Sequence, residues 1–206
     1  MRSYIYNTAR IKVLIYCALI DPLLGGLRKE IIKLSGSPKK IIDIACGPGT
    51  LATMFAENRV MTTAVDLDED FIGYANELAE KKGMSNLRFE IRDASDLSVF
   101  KNGEFDVAVT SMSVHQFDAE LAVSILTEMK RIAGMVVVGD YNYPLPSNYA
   151  GFLAKMIEWM AGGEHHSNFR TYNKLGGLNH FISAAGLNAE RSSVRGNGVF
   201  RVIACR

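Results

Sequence analysis

Apolar, β-branched runs alternate along the chain with longer segments in which apolar residues recur every three or four positions. The runs have the length of strands, and the segments between them have the length of helices. Strands are predicted at 40–45, 60–67, 86–93, 105–111 and 135–141. Because buried strands separated by helices are typical of a parallel sheet covered on both faces, the pattern predicts an α/β fold.

Charged residues and glycines mark the ends of two predicted helices. Acidic residues at 68–70 open the first, and Gly83 follows its end. Asp118 precedes the second, which runs to Gly134. Negative charge at a helix start and glycine beyond its end are the expected signals. Both helices fall between predicted strands, as the alternation requires.

The two ends of the chain differ from this alternating middle. Residues 1–36 contain two helical patterns broken at an Asp-Pro pair, which predicts a helical cap. The tail, 186–206, predicts two strands joined by a Gly-Asn-Gly turn, and so an antiparallel hairpin. Residues 140–186 contain two further helical patterns and are predicted to form an insertion that contributes to a lid. We expect one domain, 1–206, with a seven-stranded, mostly parallel sheet.

Composition narrows the classes of function. The 206 residues are 48% apolar and carry a net charge of +1, and no block of like charges indicates nucleic-acid binding. Three cysteines without metal-ligand spacing favour a reducing, cytoplasmic setting over a disulfide framework or a structural zinc site. The apolar stretch 13–20 is too short to cross a bilayer, so no membrane span is predicted.

A glycine-rich turn separates the first predicted strand from a helix. Gly47, Gly49 and Ala52 satisfy a dinucleotide-binding fingerprint. Asp66 follows about twenty residues later, where a ribose-binding acid belongs. An NAD(P)-dependent oxidoreductase is therefore one hypothesis. Against it, phosphates at a helix start require positive potential, whereas Asp43 places a carboxylate there.

That carboxylate favours a cationic ligand. S-adenosylmethionine carries a sulfonium and an ammonium and has no phosphate, and it needs acceptors for its ammonium, ribose hydroxyls and adenine amino group. Asp43, Asp66 and Asp93 lie at the ends of three successive predicted strands. Because the carboxyl ends of adjacent parallel strands line one crevice, these three side chains are predicted to share one site.

Four segments resemble, in order and at ordinary spacing, the first four motifs of class I S-adenosylmethionine-dependent methyltransferases. They are DIACGPGT, AVDLDED, RDASDL and FDVAVTSMSVHQF, and the resemblance covers residues 41–139. The region 162–187 is similar to the late region of small-molecule members related to the ubiquinone and menaquinone methyltransferases. The resemblance implies a Rossmann-like, doubly wound fold and methyl transfer from S-adenosylmethionine.

The resemblance also implies a set of cofactor-binding residues. The set is Asp43, Ala45, Gly47, Gly49, Asp66, Leu67, Asp93, Ala94 and Ser111. By this resemblance, the segment 43–49 lines the methionine portion and opens the helix. Asp66 takes the ribose hydroxyls, and Leu67 packs on adenine. Asp93 holds the adenine amino group with Ala94 beside it, and Ser111 lies near the sulfonium. Ala45 departs from the glycine that many members have.

Histidines are the candidates for proton transfer. His115 follows the fourth predicted strand by a few residues, which places it at the edge of the crevice as a candidate general base or as a packing residue. His165 and His166 lie in the predicted lid, and adjacent positions on a helix diverge by about 100°, so at most one faces the site. No metal is predicted, because the pair lacks a third ligand at useful spacing.

The absence of two sequence signatures narrows the class of methyl acceptor. The segment after the fourth strand lacks the Pro-Pro-aromatic signature of amino-nucleobase methylation, and no Pro-Cys pair offers the nucleophile of cytosine methylation. With the near-neutral charge, this favours a small organic acceptor methylated by in-line displacement. Four tyrosines are candidates for the pocket wall or for ordinary packing: Tyr4, Tyr6, Tyr141 and Tyr143. An oxidoreductase and a non-catalytic S-adenosylmethionine-binding module stay open as alternatives.

Overall fold

The structure, a computed structural model, describes residues 2–206, with side chains from residue 11 onward. The helices in this range are α1 (Arg2–Leu19), α2 (Gly25–Ser35), α3 (Thr50–Glu57), α4 (Glu69–Lys81), α5 (Ala119–Ile132), α6 (Tyr149–Ala161), α7 (Gly163–Leu175) and α8 (Leu178–Ala184). The strands are β1 (Lys40–Ile44), β2 (Met61–Asp66), β3 (Leu87–Ile91), β4 (Val107–Ser111), β5 (Val136–Tyr141), β6 (Ala189–Arg195) and β7 (Phe200–Cys205). Two short 3-10 helices span Asp21–Leu24 and Val114–Gln116.

The strands form a single mixed sheet in the order β3-β2-β1-β4-β5-β7-β6. Neighbours from β3 to β5 pair in parallel, whereas β7 is antiparallel to both β5 and β6. The predicted α/β fold with a mostly parallel, seven-stranded sheet and a C-terminal antiparallel hairpin is confirmed. The chain order reverses between β1 and β4, and ligands of such sheets bind in the crevice at this switch point.

Continuous apolar runs form the centre of the sheet because helices cover both of its faces. All six residues of β5 are buried, and Ile41, Ile42 and Ile44 of β1 have no exposed surface. A smaller apolar cluster packs α3 and α4 against β2 and β3, mostly through alanines. Small side chains allow these helices to lie close to the sheet, and this brings the start of α3 near β3.

The predicted helix boundaries follow side-chain caps. Asp68 accepts hydrogen bonds from the backbone N–H groups of Asp70 and Phe71 at the start of α4, and Asp118 accepts one from Leu121 at the start of α5. Gly83 follows the end of α4 with a φ of 64°, in the left-handed region that favours glycine.

The insertion between β5 and β6 contains three helices in the described residues, where the sequence pattern predicted two. Two glycine pairs, at 162–163 and 176–177, divide it into α6, α7 and α8. All four glycines have positive φ angles, which the interior of a right-handed α-helix does not accommodate, so each pair ends one helix, and Gly163 stands at the first position of α7. The prediction joined segments that the backbone of these glycines separates.

Helices also occupy the two segments for which a cap and a lid contribution were predicted, and those two roles stay predictions. The segment from α1 to α2 precedes β1, and α6 to α8 lie between β5 and β6. Within residues 2–206, no helix combines the length and the apolar character needed to cross a bilayer.

Candidate active site

A cavity of about 260 Å³ lies at the carboxyl ends of β1, β2 and β4, at the switch point of the sheet. Its floor includes Asp43, Asp66 and Ser111, and its outer wall comes from α1, α2 and the turn after β4. A second cavity of about 90 Å³ shares Ala45 and Asp66 with it and extends past the end of β3. The two cavities therefore adjoin and together form one cleft along four strand ends, those of β3, β2, β1 and β4.

Asp43 is the most unusual side chain of the cleft. It is 1% exposed, and among the described residues no group hydrogen-bonds to its Oδ2 atom. Burial raises the pKa of Asp43 to about 8; the Arg28 guanidinium opposes this effect and Asp66 adds to it. A buried carboxyl group with one unsatisfied oxygen is costly, so this position is suited to a cationic partner.

The turn after β1 carries three residues with positive φ angles. They are Ala45 (54°), Gly47 (53°) and Gly49 (77°). The Gly49 N–H donates to the Cys46 carbonyl oxygen at 3.1 Å, and α3 begins at the next residue. Positive φ angles favour glycine, which explains why glycine stands at positions 47 and 49. At position 45, alanine is more strained than glycine would be.

Asp66 joins this turn to β2. Its Oδ2 accepts a hydrogen bond from the Gly47 N–H at 2.7 Å, and its Oδ1 accepts one from the Asp68 N–H at 2.9 Å. Each carboxylate oxygen has a second lone pair, so both can still accept hydroxyl groups. Leu67, the next residue, is 63% exposed and lines the smaller cavity, where it offers an open apolar surface.

The end of β3 contributes Asp93 and Ala94 to the smaller cavity. Oδ1 of Asp93 accepts hydrogen bonds from the N–H and hydroxyl groups of Ser95, at 2.8 and 2.7 Å. Asp93 therefore also shapes its own turn. The three predicted aspartates lie along one cleft, and their roles in binding stay predictions.

Ser111 is the last residue of β4, and the predicted strand 105–111 also ended there. Its hydroxyl oxygen is buried, and the described part of the chain offers it no hydrogen-bond partner. It lines the larger cavity together with Met112 and Ser113. A second unsatisfied polar atom thus faces the space beside Asp43.

His115 lies behind the cleft wall. Its side chain is 1% exposed, and it is absent from the described lining of the larger cavity, which includes its neighbour Gln116. Its Nδ1 lies 2.6 Å from Oδ1 of Asp140, and its Nε2 lies 3.6 Å from Oε1 of Glu158. Burial lowers the pKa of His115, but the two carboxylates outweigh it and raise the pKa above its ordinary value. Its proposed catalytic role stays a prediction.

The segment before β1 supplies wall residues that the sequence pattern did not single out. Arg28 is buried and ion-paired with Asp21, whose Oδ2 also accepts a hydrogen bond from the Thr50 hydroxyl at 3.1 Å. Tyr16 of α1 and Phe71 of α4 also line the cavity, with ring centroids 5.4 Å apart. The sequence pattern identified Asp21 only as part of the break between two helices, and it gave no signal for Arg28.

The tyrosine candidates separate into different settings. Tyr141 is buried and donates its hydroxyl hydrogen to Oε1 of Glu158 at 2.8 Å, whereas Tyr143 is 45% exposed. Neither is part of the described lining of the larger cavity. The side chains of Tyr4 and Tyr6 lie outside the described residues.

The cleft has the donors and acceptors that S-adenosylmethionine requires. A buried acceptor at Asp43 suits an ammonium group, and the guanidinium of Arg28 suits a carboxylate. Asp66 offers oxygens for a diol, and a shallow apolar extension beside Leu67 suits a flat ring. The residues present therefore fit this cofactor. By the order of its sheet and the position of its cleft, the molecule has the architecture of a class I methyltransferase.

Comparison with known proteins gives the family. Residues 41–134 match the family model described as a methyltransferase domain. A ubiquinone biosynthesis O-methyltransferase of Methylococcus capsulatus is 31% identical over 145 residues, which are 67% of this chain and 60% of that protein. A demethylmenaquinone methyltransferase of Thermus thermophilus is 28% identical over 151 residues, 70% of this chain and 67% of that protein.

A solved S-adenosylmethionine-dependent methyltransferase of Aquifex aeolicus shares the fold, with a TM-score of 0.67 and 15% identity, over 95% of this chain and 97% of the other. The chain carries a class I S-adenosylmethionine-dependent methyltransferase domain and is related to the ubiquinone and menaquinone methyltransferases. S-adenosylmethionine is the cofactor of that domain. The match spans only 60% of the length of the ubiquinone relative.

Proposed function

We propose that this protein transfers a methyl group from S-adenosylmethionine to a small organic acceptor. The observation that carries the proposal is the buried carboxyl group of Asp43, whose Oδ2 finds no hydrogen-bond partner among the described residues, in a cleft at the switch point. When bound, the cofactor supplies an electrophilic methyl group. The residues of this chain bind and orient the two reactants and exclude water.

In this proposal Asp43 holds the ammonium of the cofactor and Arg28 holds its carboxylate. Asp66 binds the ribose hydroxyls, Leu67 packs on adenine, and Asp93 receives the adenine amino group. Ala45, Gly47 and Ala94 line the cleft with small side chains or none, and Gly49 opens α3 beside it. Positioning for in-line displacement can lower a barrier by about 7–11 kcal/mol, so the reaction does not depend on a dedicated base.

The acceptor enters beside Ser111 in this proposal. The adjacent part of the cavity has both polar and apolar surface, because it is lined by Met112, Ser113, Gln116 and Phe117.

We further propose that residues 1–206 form one domain, with 1–36 as a cap and 140–186 contributing to a lid. The cysteines of the described side chains, Cys17, Cys46 and Cys205, are free, in keeping with a cytoplasmic protein.

Ligand binding separates this proposal from its main alternative. Titration calorimetry with S-adenosylmethionine, S-adenosylhomocysteine and NAD is expected to show binding of the first two only. Binding of NAD alone would favour the oxidoreductase. A dinucleotide is disfavoured because its phosphates would lie close to the Asp43 carboxyl group and would oppose its ionisation, whereas a cationic ligand favours it.

Methyl transfer is tested with radiolabelled S-adenosylmethionine. Incubation with a fractionated metabolite extract is expected to place label in a small organic compound, at a rate that depends on the protein. The Asp43→Asn variant serves as the control for background transfer. Tight cofactor binding without label in any fraction would support the non-catalytic binding module instead.

Asp66→Ala is expected to weaken S-adenosylmethionine binding by about 1–3 kcal/mol, because a charged hydrogen-bond acceptor is lost. Calorimetry measures the difference. Asp96→Ala is the matched control, since Asp96 is another turn aspartate that accepts a backbone hydrogen bond, from Ser98, outside the lining of both cavities. Equal affinities of the two variants would contradict the assignment of Asp66.

A further inference from the structure

A cluster of three potential metal ligands lies behind the turn that follows β4. His115 comes from this turn, Glu158 from α6 and His165 from α7. One nitrogen or oxygen atom of each lies within 4.8 Å of the others. Nε2 of His165 is 2.6 Å from Oε2 of Glu158, and Nε2 of His115 is 3.6 Å from Oε1. Residues from three separate elements thus point ligand atoms at one place.

The surroundings of the cluster orient these ligand atoms. Asp140 lies 2.6 Å from Nδ1 of His115, and a proton held between them leaves the Nε2 lone pair directed at Glu158. The Tyr141 hydroxyl donates to Oε1 of Glu158. A carboxylate that fixes a histidine through its far nitrogen is the usual outer partner of a metal-bound imidazole.

The burial of two carboxyl groups is a second, independent argument that the cluster binds a cation. Asp140 is 0% exposed and Glu158 is 3% exposed, so two carboxyl groups are buried within one cluster. With both histidines neutral, the cluster carries two negative charges and is costly to bury. A divalent cation balances that charge and leaves both histidines neutral, as metal ligation requires, whereas without a cation both histidines would have to be protonated.

We propose that His115, Glu158 and His165 bind Zn²⁺ or a divalent transition-metal ion with similar ligand preferences. Two imidazoles and one carboxylate, with a fourth position for water, form a known tetrahedral zinc ligand set. Bonds of about 2.0–2.1 Å to zinc place neighbouring ligand atoms about 3.3 Å apart. The structure has 2.6 Å from His165 to Oε2 of Glu158 and 3.6 Å from His115 to Oε1, with one ligand atom of each residue within 4.8 Å of the others. Binding therefore requires side-chain rotations that draw both imidazoles and one carboxylate oxygen around the ion. Two imidazoles exclude Mg²⁺ as the preferred ion, since Mg²⁺ prefers oxygen ligands.

The ion joins the insertion to the wall of the cleft. His115 lies between Ser113 and Gln116, which line the larger cavity, and α7 also contacts this turn through a hydrogen bond from Asn168 to the Gln116 carbonyl oxygen at 2.8 Å. Bound metal would hold α6 and α7 against the turn. The adjacent pair His165 and His166 provides only one of the three ligands, and the fold supplies the other two.

Metal binding is tested on protein dialysed against a chelator. Zn²⁺ is expected to bind with one-to-one stoichiometry and submicromolar affinity, and to raise the melting temperature by roughly 5–10 °C at a hundredfold excess over the dissociation constant. Co²⁺ is expected to give the intense visible absorption of a tetrahedral site. Mg²⁺ is expected to do neither.

Variants then locate the site. His165→Ala is expected to weaken Zn²⁺ binding by at least about 100-fold, since loss of a direct ligand exceeds the effect of losing an outer partner. His165 is 32% exposed, so its replacement is compatible with folding, which circular dichroism checks. The matched controls are His166→Ala and His180→Ala, which are expected to bind Zn²⁺ like the wild type.

Two results would overturn the proposal. One is the absence of a stoichiometric, submicromolar Zn²⁺ site in the folded wild type, which would leave the cluster as a network of hydrogen bonds. The other is an equal loss of affinity in the His165 and His166 variants, which would indicate adventitious binding. Neither measurement uses S-adenosylmethionine, so the outcome is independent of the proposed methyl transfer.

Discussion

Asp43→Asn is expected to weaken S-adenosylmethionine binding by about 100-fold or more, equivalent to about 3 kcal/mol. The ammonium would lose a buried carboxylate partner and face a neutral amide of similar shape. Calorimetry measures the affinity, and circular dichroism establishes that the variant is folded. A loss of less than about tenfold, or 1.4 kcal/mol, would contradict the role of Asp43.

The pH dependence of binding provides a separate test of Asp43. The raised pKa, about 8, means that the free protein holds this carboxyl group largely protonated at pH 7. Binding of a cation favours the ionised form, so wild-type affinity is expected to rise between pH 6 and pH 8, by up to about tenfold per unit. Above pH 8 the α-amino group of the ligand itself loses its proton. The Asp43→Asn variant is expected to show no such rise below pH 8.

The raised pKa of Asp43 also makes the stability of the free protein depend on pH. This stability falls as the pH rises, whereas the affinity for the cofactor rises. The folded-state pKa of Asp43 is raised above its unfolded value, so the stability that the neutral form contributes is fully present below about pH 4 and is lost as the pH rises towards 8. Asp43→Asn does not titrate. The free variant is therefore expected to gain stability relative to the wild type across this range, as it loses the ability to bind the cofactor.

Gly49→Ala is expected to destabilise the protein by about 2–4 kcal/mol. The φ angle of 77° strains any residue with a Cβ atom, at a cost of about 1 kcal/mol. A Cβ atom at this position would also lie 2.4 Å from Cε1 of Phe89 and 3.2 Å from Cβ of Ala75, and such overpacking costs about 1–3 kcal/mol more. Urea unfolding measures the difference.

Gly47→Ala is the matched control for Gly49→Ala. Gly47 has a similar strain, with a φ of 53°, but no described heavy atom lies within 4 Å of the position that its Cβ would take. Its replacement is expected to cost about 1 kcal/mol of stability, from strain alone. If Gly49→Ala were no more destabilising than Gly47→Ala, the contact between the start of α3 and β3 would be wrong.

The sheet was predictable because its signals are local. Continuous apolar, β-branched runs such as 135–138 are typical of a strand with both faces covered. Asp68 and Asp118 mark helix starts because their side chains cap the backbone N–H groups that follow. The lid was predicted less well. Its helical periodicity is clear, but its division at the glycines 176–177 depends on backbone angles that the apolar pattern does not encode.

The cofactor cleft was partly predictable for a related reason. Parallel strands end at the same edge of a sheet, so Asp43, Asp66 and Asp93 could be placed together once three successive strands were recognised. Arg28 could not be placed with them. It lies on a helix before β1, and only the packing of α2 brings its guanidinium into the cleft.

The sequence by itself determined the order of strands and helices, the glycine turn and the row of carboxylates, because these depend on neighbouring residues and on the regular geometry of a parallel sheet. Only the tertiary structure decided that His115 faces away from the cavity and meets Asp140, Glu158 and His165. Contacts between residues far apart in the chain are set by how α6 and α7 pack on the turn after β4, and the side-chain pattern of no single segment specifies that packing.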